Sequence, residues 1–128
     1  MSTTMLMTAF FTHATELVKQ LQEQFPDEKD LLLAKQSLWL ISSSTSTGVP
    51  FMKNFYTYTS PFRKQIFDRD ETFFLDLQFD ESIGGSEQTL LKSLRIKELS
   101  SQMTQASKIA LFKFFEGLLL LCEKLQQC

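Results

Sequence analysis

The fold is decided by residues 108–125, KIALFKFFEGLLLLCEKL. On a helix, the apolar residues of this stretch cover most of the circumference, and only Lys113 and Glu116 interrupt them before the closing Glu123 and Lys124. A helix with that pattern is buried on several sides. We therefore expect the central element of a small helical domain, or one half of a subunit interface. Its candidate core or interaction residues are Phe112, Phe115 and Leu119.

Helical patterns continue upstream. Apolar residues at spacings of three and four predict a first helix that stops at Pro26, because proline disfavours helical geometry in the residue before it. Acidic residues after Pro26 favour the start of a second helix. Residues 42–48, SSSTSTG, then predict a flexible loop, whose serine and threonine residues are alternatively sites for phosphate. Pro50 suits the first turn of a third helix.

The middle of the chain is less clearly patterned. Ser60-Pro61 breaks or kinks the third helix, and a short helical turn follows. Residues 73–79, FFLDLQF, alternate with a strand period, but a lone strand has no partner in this chain, so we favour a helical turn followed by coil. Ser86 suits the N-cap of a helix over residues 87–100, and Thr104 suits that of the last helix.

Length and composition fit one folded domain. The chain has 128 residues and is 43% hydrophobic and 22% charged, values typical of globular proteins. Thirteen Phe against two Tyr and one Trp indicate a core of Phe and Leu, or a core plus a sticky apolar face, and we prefer the core alone. We predict a single all-α domain over residues 1–128, a bundle of five or six helices around a buried C-terminal helix.

Several classes of partner and location are disfavoured. The net charge is -2 and basic residues are interleaved with acidic ones, so no nucleic-acid partner is expected. No uncharged apolar window reaches the length of a membrane span, and the first residues lack the basic start of a signal peptide. Six residues separate Cys122 from Cys128, about 240° around a helix, so the two thiols do not readily pair. We therefore expect an intracellular, reducing location.

Candidate chemistry is sparse. His13, the only histidine, lies on the apolar face of the first helix without a metal-binding or nucleophilic motif, so we interpret it as structural. Asp76 and Asp80 are acids of the kind used in general acid–base catalysis, but a solvated loop explains them better. We predict no catalytic residue, no metal and no cofactor, and an unrecognised enzyme stays as an alternative.

The acidic segment after the short helical turn begins like a calcium-binding loop. Phe73 then stands where that loop needs glycine, and Phe79 where it needs a bidentate glutamate, so a calcium site is disfavoured. We instead interpret the segment as a structural polar cluster that flanking phenylalanines anchor in the core or at an interface. The cluster is Asp68, Arg69 and Asp70, and the anchors are Phe73 and Phe74.

Residues 58–75, YTSPFRKQIFDRDETFFL, resemble a pattern in short proteins of large double-stranded DNA viruses of algae and protists. The pattern runs Tyr, Pro-aromatic, a basic/acidic pair, Gln-Ile, then Asp-Glu and Phe-Phe-Leu. The order of the first two amphipathic helices and of the last one is also similar. The resemblance implies a viral context, either a virion component or a protein of the infected cell, and it transfers no functional residue.

Three functions follow as hypotheses. The first is a non-enzymatic interaction or structural protein of such a virus, acting on a protein partner or on itself as a homo-oligomer. The second is a host-directed decoy that binds an amphipathic helix in a groove beside residues 108–125. The third is an enzyme of unrecognised type, which a pocket containing perturbed acids would favour.

Overall fold

The computed structural model describes residues 2–73 and 96–127, and every regular element in them is helical. The all-α class is therefore confirmed. The α-helices are α1 (Thr3–Gln24), α2 (Lys29–Ile41), α3 (Thr45–Thr59), α4 (Arg63–Phe67), α5 (Ile96–Leu99) and α6 (Gln105–Gln126), with 3-10 turns at Ser60–Phe62 and Ser100–Gln102. Only four of these helices, α1, α2, α3 and α6, have 13 residues or more. The described residues therefore contain four long helices, and the predicted bundle of five or six is matched only in part.

Some predictions fall outside the described residues. These are the conformation of residues 74–79 and most of the helix expected over residues 87–100 with its N-cap at Ser86. The candidate anchor Phe74, the acids Asp76 and Asp80, and the terminal thiol of Cys128 lie outside as well.

Local signals set both ends of α1. The side chain of Ser2 accepts a hydrogen bond from the backbone N–H of Met5 at 3.2 Å, which satisfies one of the free donors at the helix start. The helix ends at Gln24, and Phe25 is its C-cap, directly before Pro26. The predicted stop at proline is confirmed. The apolar face of α1 is buried through Leu6, Met7, Phe10, Phe11, Ala14, Leu17, Val18 and Leu21.

Helix α6 packs against α1, α3 and α4. Thr104 is its N-cap, as predicted, and Thr104 Oγ1 accepts from the backbone N–H of Ser107 at 3.2 Å. The helix faces neighbours on several sides because apolar residues surround most of it. Its buried residues are Leu111, Phe112, Phe115, Leu118, Leu119, Cys122 and Leu125.

The prediction for the start of α3 is wrong. A loop was expected over residues 42–48 with a helix beginning at Pro50, but α3 begins at Thr45 and Pro50 lies inside it. Proline cannot donate a backbone hydrogen bond to the carbonyl of Ser46, four residues earlier. Ser46 is exposed, so water can reach that carbonyl and the penalty for the missing bond is reduced.

Local hydrogen bonds and one close contact select the helical start of α3. Thr47 Oγ1 donates to the carbonyl of Ile41 at 2.6 Å, and the N–H of Gly48 donates to the carbonyl of Ser44 at 2.9 Å. Gly48 is buried, and a Cβ atom on it would lie 2.5 Å from Sδ of Met7 in α1. The Ser/Thr composition indicated a loop, but packing against α1 outweighs that local preference.

Phenylalanine rings connect the packed helices. Phe10 of α1 meets Phe55 of α3 edge-on, with ring centroids 5.3 Å apart, and Phe55 stacks on Phe115 of α6 at 6.5 Å. Phe73 meets Phe115 edge-on at 5.3 Å. Such rings bury large apolar areas and add a further contribution from their geometry. The core of the described residues is therefore built mainly from Leu and Phe, as the composition indicated.

Candidate functional site

The candidate residues of the last helix lie in the core. Phe112, Phe115 and Leu119 are at most 1% exposed, and Phe73 is fully buried against the same helix. Of the five residues proposed for core or interaction, these four pack inside the protomer. A binding surface must therefore be sought on other residues.

The predicted polar cluster forms a tight turn after α4. Asp68 is the C-cap of α4, and Arg69 has a φ angle of 54°, a left-handed conformation that is uncommon for a side chain of this kind. Asp70 Oδ1 accepts from the hydroxyl of Thr72 at 2.8 Å and from its backbone N–H at 3.0 Å. These bonds lower the pKa of the Asp70 carboxyl, with the hydroxyl as the larger cause. The turn directs the chain toward the buried Phe73.

Ion pairs connect residues 63–71 to α6. Arg69 of the predicted polar cluster forms one of these pairs, with a carboxylate of α6. Exposed ion pairs contribute little to stability because water and salt screen the charges, so these pairs position the segment more than they stabilise it. The pairs are Arg63 with Glu123 at 2.6 Å, Arg69 with Glu116 at 3.7 Å, and Glu71 with Lys108 at 2.6 Å.

His13 lies between α1 and α6, where its ring packs against Phe114 at 4.7 Å. A Cβ atom on Gly117 would lie 2.6 Å from His13 Nε2. That nitrogen is shielded from solvent and has no hydrogen-bond partner among the described residues. Burial lowers the pKa of His13, and a hydrogen bond with the backbone of Phe114 partly opposes this shift. The geometry matches a structural histidine packed against glycine.

Cys122 is fully buried and unpaired. Its thiol donates to the carbonyl of Met52 in α3 at 3.5 Å. Burial, with a smaller contribution from the charge of Glu123, raises the pKa of this thiol to about 12. Reactive cysteines have the opposite properties, a lowered pKa and solvent access, so Cys122 serves as a small core residue.

A shallow pocket lies between α1 and α6. Leu17 and Leu21 of α1 and Leu111 and Phe114 of α6 are among its lining residues, and its volume is about 10 Å³. That volume holds about one water molecule. The pocket as it stands therefore accepts neither a substrate-sized molecule nor an amphipathic helix.

One helix carries large apolar side chains on its solvent side. On α2, Leu32 and Trp39 are seven residues apart, as are Leu33 and Leu40, so both pairs lie on one side of the helix, with Gln36 between them. Their exposed fractions are 51% for Leu32, 54% for Leu33, 73% for Trp39 and 62% for Leu40. These four residues are called the α2 face below.

The α2 face is as large as the largest apolar patch of a typical monomer. Taking roughly 200 Å² for a fully exposed side chain of this size, the four residues present roughly 500 Å². Typical monomers have a largest apolar patch of about 300–600 Å², and such patches are often functional. The opposite side of α2 is buried through Leu31, Ala34 and Leu38.

The sequence does not separate these two sides of α2, because both are apolar. A signal was present, because three consecutive leucines followed by Leu38-Trp39-Leu40-Ile41 place apolar residues on both sides of a helix. Which side faces the core depends on contacts with α1 and α3. We predicted that the apolar residues form a core alone, without an exposed apolar face, and α2 does not fit this prediction. No described Phe is among the exposed large apolar residues.

The described residues thus define an all-α protein with an exposed apolar helix face. Across residues 2–73 and 96–127, no helix has the length and apolar character needed to cross a membrane. The same residues contain no group of three or more His, Cys, Asp or Glu side chains that could hold a metal ion.

No family model, curated protein or solved structure matches this chain. The function must therefore be argued from the residues themselves.

Proposed function

We propose that this chain is a non-enzymatic interaction protein of a large double-stranded DNA virus. It acts in the virion or in the reducing interior of the infected cell by binding a protein through the α2 face. The viral setting rests on the resemblance of residues 58–75 to short proteins of such viruses. The mode of action rests on a different observation, the exposure of four large apolar side chains on one side of α2.

The physical case for binding comes from solvation. Each exposed apolar side chain leaves surface in contact with water, and transferring that surface into a protein contact is favourable by about 25 cal/mol per Å². Aromatic residues, tryptophan above all, contribute strongly to the centres of protein interfaces. Trp39 is the only tryptophan of the chain and the most exposed of its large apolar residues in the described part.

No observation on residues 2–73 and 96–127 supports either rival function. A helix-binding decoy needs a groove beside residues 108–125, but the pocket between α1 and α6 measures about 10 Å³. An enzyme needs convergent polar groups with shifted pKa values in a cleft. The lowered pKa of Asp70 arises from bonds within its own turn, and this residue is not part of that pocket.

A matched pair of variants tests the proposal. Leu40→Ser alters the α2 face at a residue that is 62% exposed, and Leu120→Ser makes the same change on α6 at a residue that is 43% exposed. We expect proteins that copurify with the wild-type chain from infected cells or particles to be lost with Leu40→Ser and kept with Leu120→Ser. Circular dichroism establishes that both variants remain helical.

Two results contradict the proposal. One is equal recovery of the same proteins with wild type and Leu40→Ser, which would place binding elsewhere on the molecule. The other is recovery of no protein from infected cells or particles, together with absence of the chain from both.

A further inference from the structure

We propose that a second copy of this chain covers the α2 face, so that two α2 helices pack antiparallel about a twofold axis beside Gln36. This proposal deepens the proposed function and rests on it for the use of the α2 face. A second copy is the occupant because the area, the residue spacing and the charges of the α2 face suit a copy of itself.

The area of the α2 face reaches the lower limit for a specific dimer. The face presents roughly 500 Å² on each copy, estimated from its exposed fractions. Two copies would therefore bury roughly 1,000 Å² from these side chains alone, which reaches the size that separates specific interfaces from incidental contacts. Lys29 and Ser43 lie beyond the two ends of the apolar face and would add a polar rim.

The spacing of the face is self-complementary. Leu32 and Leu40 lie four residues before and after Gln36, and Leu33 and Trp39 lie three residues before and after it. About a twofold axis beside Gln36, residues on the same lateral side of the two helices come together, so Leu32 of one copy meets Trp39 of the other, and Leu33 meets Leu40. Each leucine or tryptophan thus contacts an apolar residue, as an isologous interface requires. Two Gln36 side chains meet at the axis, where an amide can both donate and accept a hydrogen bond.

The charges favour antiparallel packing over parallel packing. In a parallel pair, Lys29 of one copy would face Lys29 of the other, and both helix amino ends would lie together. In the antiparallel pair, Lys29 lies beside the carboxyl end of the other α2, which has no basic residue in its own last turn. A cation near a helix carboxyl end is stabilising. The two helix dipoles then also point in opposite directions, which favours this packing.

Light scattering across a concentration series is the first test. We expect the wild-type chain to change from monomer to dimer as its concentration rises. Trp39→Ser should raise the dissociation constant by at least about 30-fold, because a central tryptophan commonly dominates an interface. Leu40→Ser should raise it by roughly 10-fold or more, whereas Leu120→Ser should leave it unchanged.

Disulfide trapping tests the geometry, in a Cys128→Ser background that leaves only the buried Cys122. Gln36→Cys should form a disulfide between copies, because a disulfide needs Cα atoms within about 7 Å. Lys29→Cys should not pair with itself, since antiparallel packing separates the two positions by about 21 Å along the axis. A mixture of Lys29→Cys and Ser43→Cys should form the cross-linked dimer.

Each alternative outcome overturns the inference. A monomer at every concentration up to about 1 mM, where any specific contact would be measurable, refutes self-association. A dimer that Trp39→Ser leaves intact lies on another surface, and self-pairing of Lys29→Cys indicates parallel packing. Failure here is distinguishable from failure of the proposed function. Suppose that the chain stays monomeric, and that a heterologous partner is lost from Leu40→Ser but kept by Leu120→Ser. The proposed function would then hold, and that partner would cover the α2 face in place of a second copy.

Discussion

Replacing Gly117 with alanine tests the contact between α1 and α6 at His13. The new Cβ atom would lie 2.6 Å from His13 Nε2 and 3.1 Å from Cδ2, which is too close for the present arrangement. The ring must then move, and it packs against Phe114 with centroids 4.7 Å apart. Small-to-large changes at packed positions cost about 1–3 kcal/mol.

A second effect has the opposite sign. Alanine is a better helix former than glycine by about 1 kcal/mol in a helix interior, and Gly117 lies in the middle of α6. The two contributions leave Gly117→Ala destabilising by about 1 kcal/mol in the wild-type chain. In a His13→Ala background the close contact no longer exists, so the same change should stabilise the protein by about 1 kcal/mol.

The assay is a double-mutant cycle of urea unfolding, run at one protein concentration because association also changes apparent stability. We expect a coupling free energy of about 2 kcal/mol between positions 13 and 117. Equal effects of Gly117→Ala in the two backgrounds would refute the reasoning. Such a result would mean that the His13 ring does not occupy the space beside Gly117.

Three further predictions concern buried groups. Burial lowers the pKa of His13 below its usual value, so its neutral form contributes stability above about pH 6.5 that is lost as pH falls through the lowered pKa. The urea midpoint of the wild type should therefore fall more between pH 7 and pH 5 than that of His13→Ala. Equal falls of the two urea midpoints would contradict this. In a Cys128→Ser background, the Cys122 thiol, with its pKa raised to about 12, should react with a thiol reagent only on unfolding, and rapid reaction in native buffer would count against its burial. Phe115→Asp and Leu119→Asp should each cost several kcal/mol because they bury a charge, and retained helical circular dichroism with a normal melting temperature in either variant would disprove the burial of that residue in the core.

Local signals made parts of the fold predictable from sequence. Pro26 ends α1 and Thr104 begins α6 because each acts on its own helix end through backbone geometry or a hydrogen bond over three residues. The apolar pattern of residues 108–125 likewise predicted a helix with several buried sides. Such features need no knowledge of distant residues.

Other features depend on contacts between distant residues. The start of α3 was placed too late because the contact between Gly48 and Met7 crosses from α3 to α1. The exposed side of α2 was missed because both of its sides are apolar, and only packing against α1 and α3 decides which one is buried. The partner of Arg69 was missed for the same reason, since Glu116 lies 47 residues away along the chain and pairs with it at 3.7 Å.

The fluorescence of Trp39 tests the central claim most directly. It is the only tryptophan in the chain, it lies on the α2 face, and it is 73% exposed in the isolated protomer. We expect a solvent-exposed emission spectrum and full access to an aqueous quencher at high dilution. The emission should shift to shorter wavelength, with quencher access lost, as the protein concentration rises, and Leu40→Ser should weaken this change while Leu120→Ser preserves it. A Trp39 emission that stays solvent-exposed at every concentration and in the presence of copurified proteins would contradict binding through the α2 face.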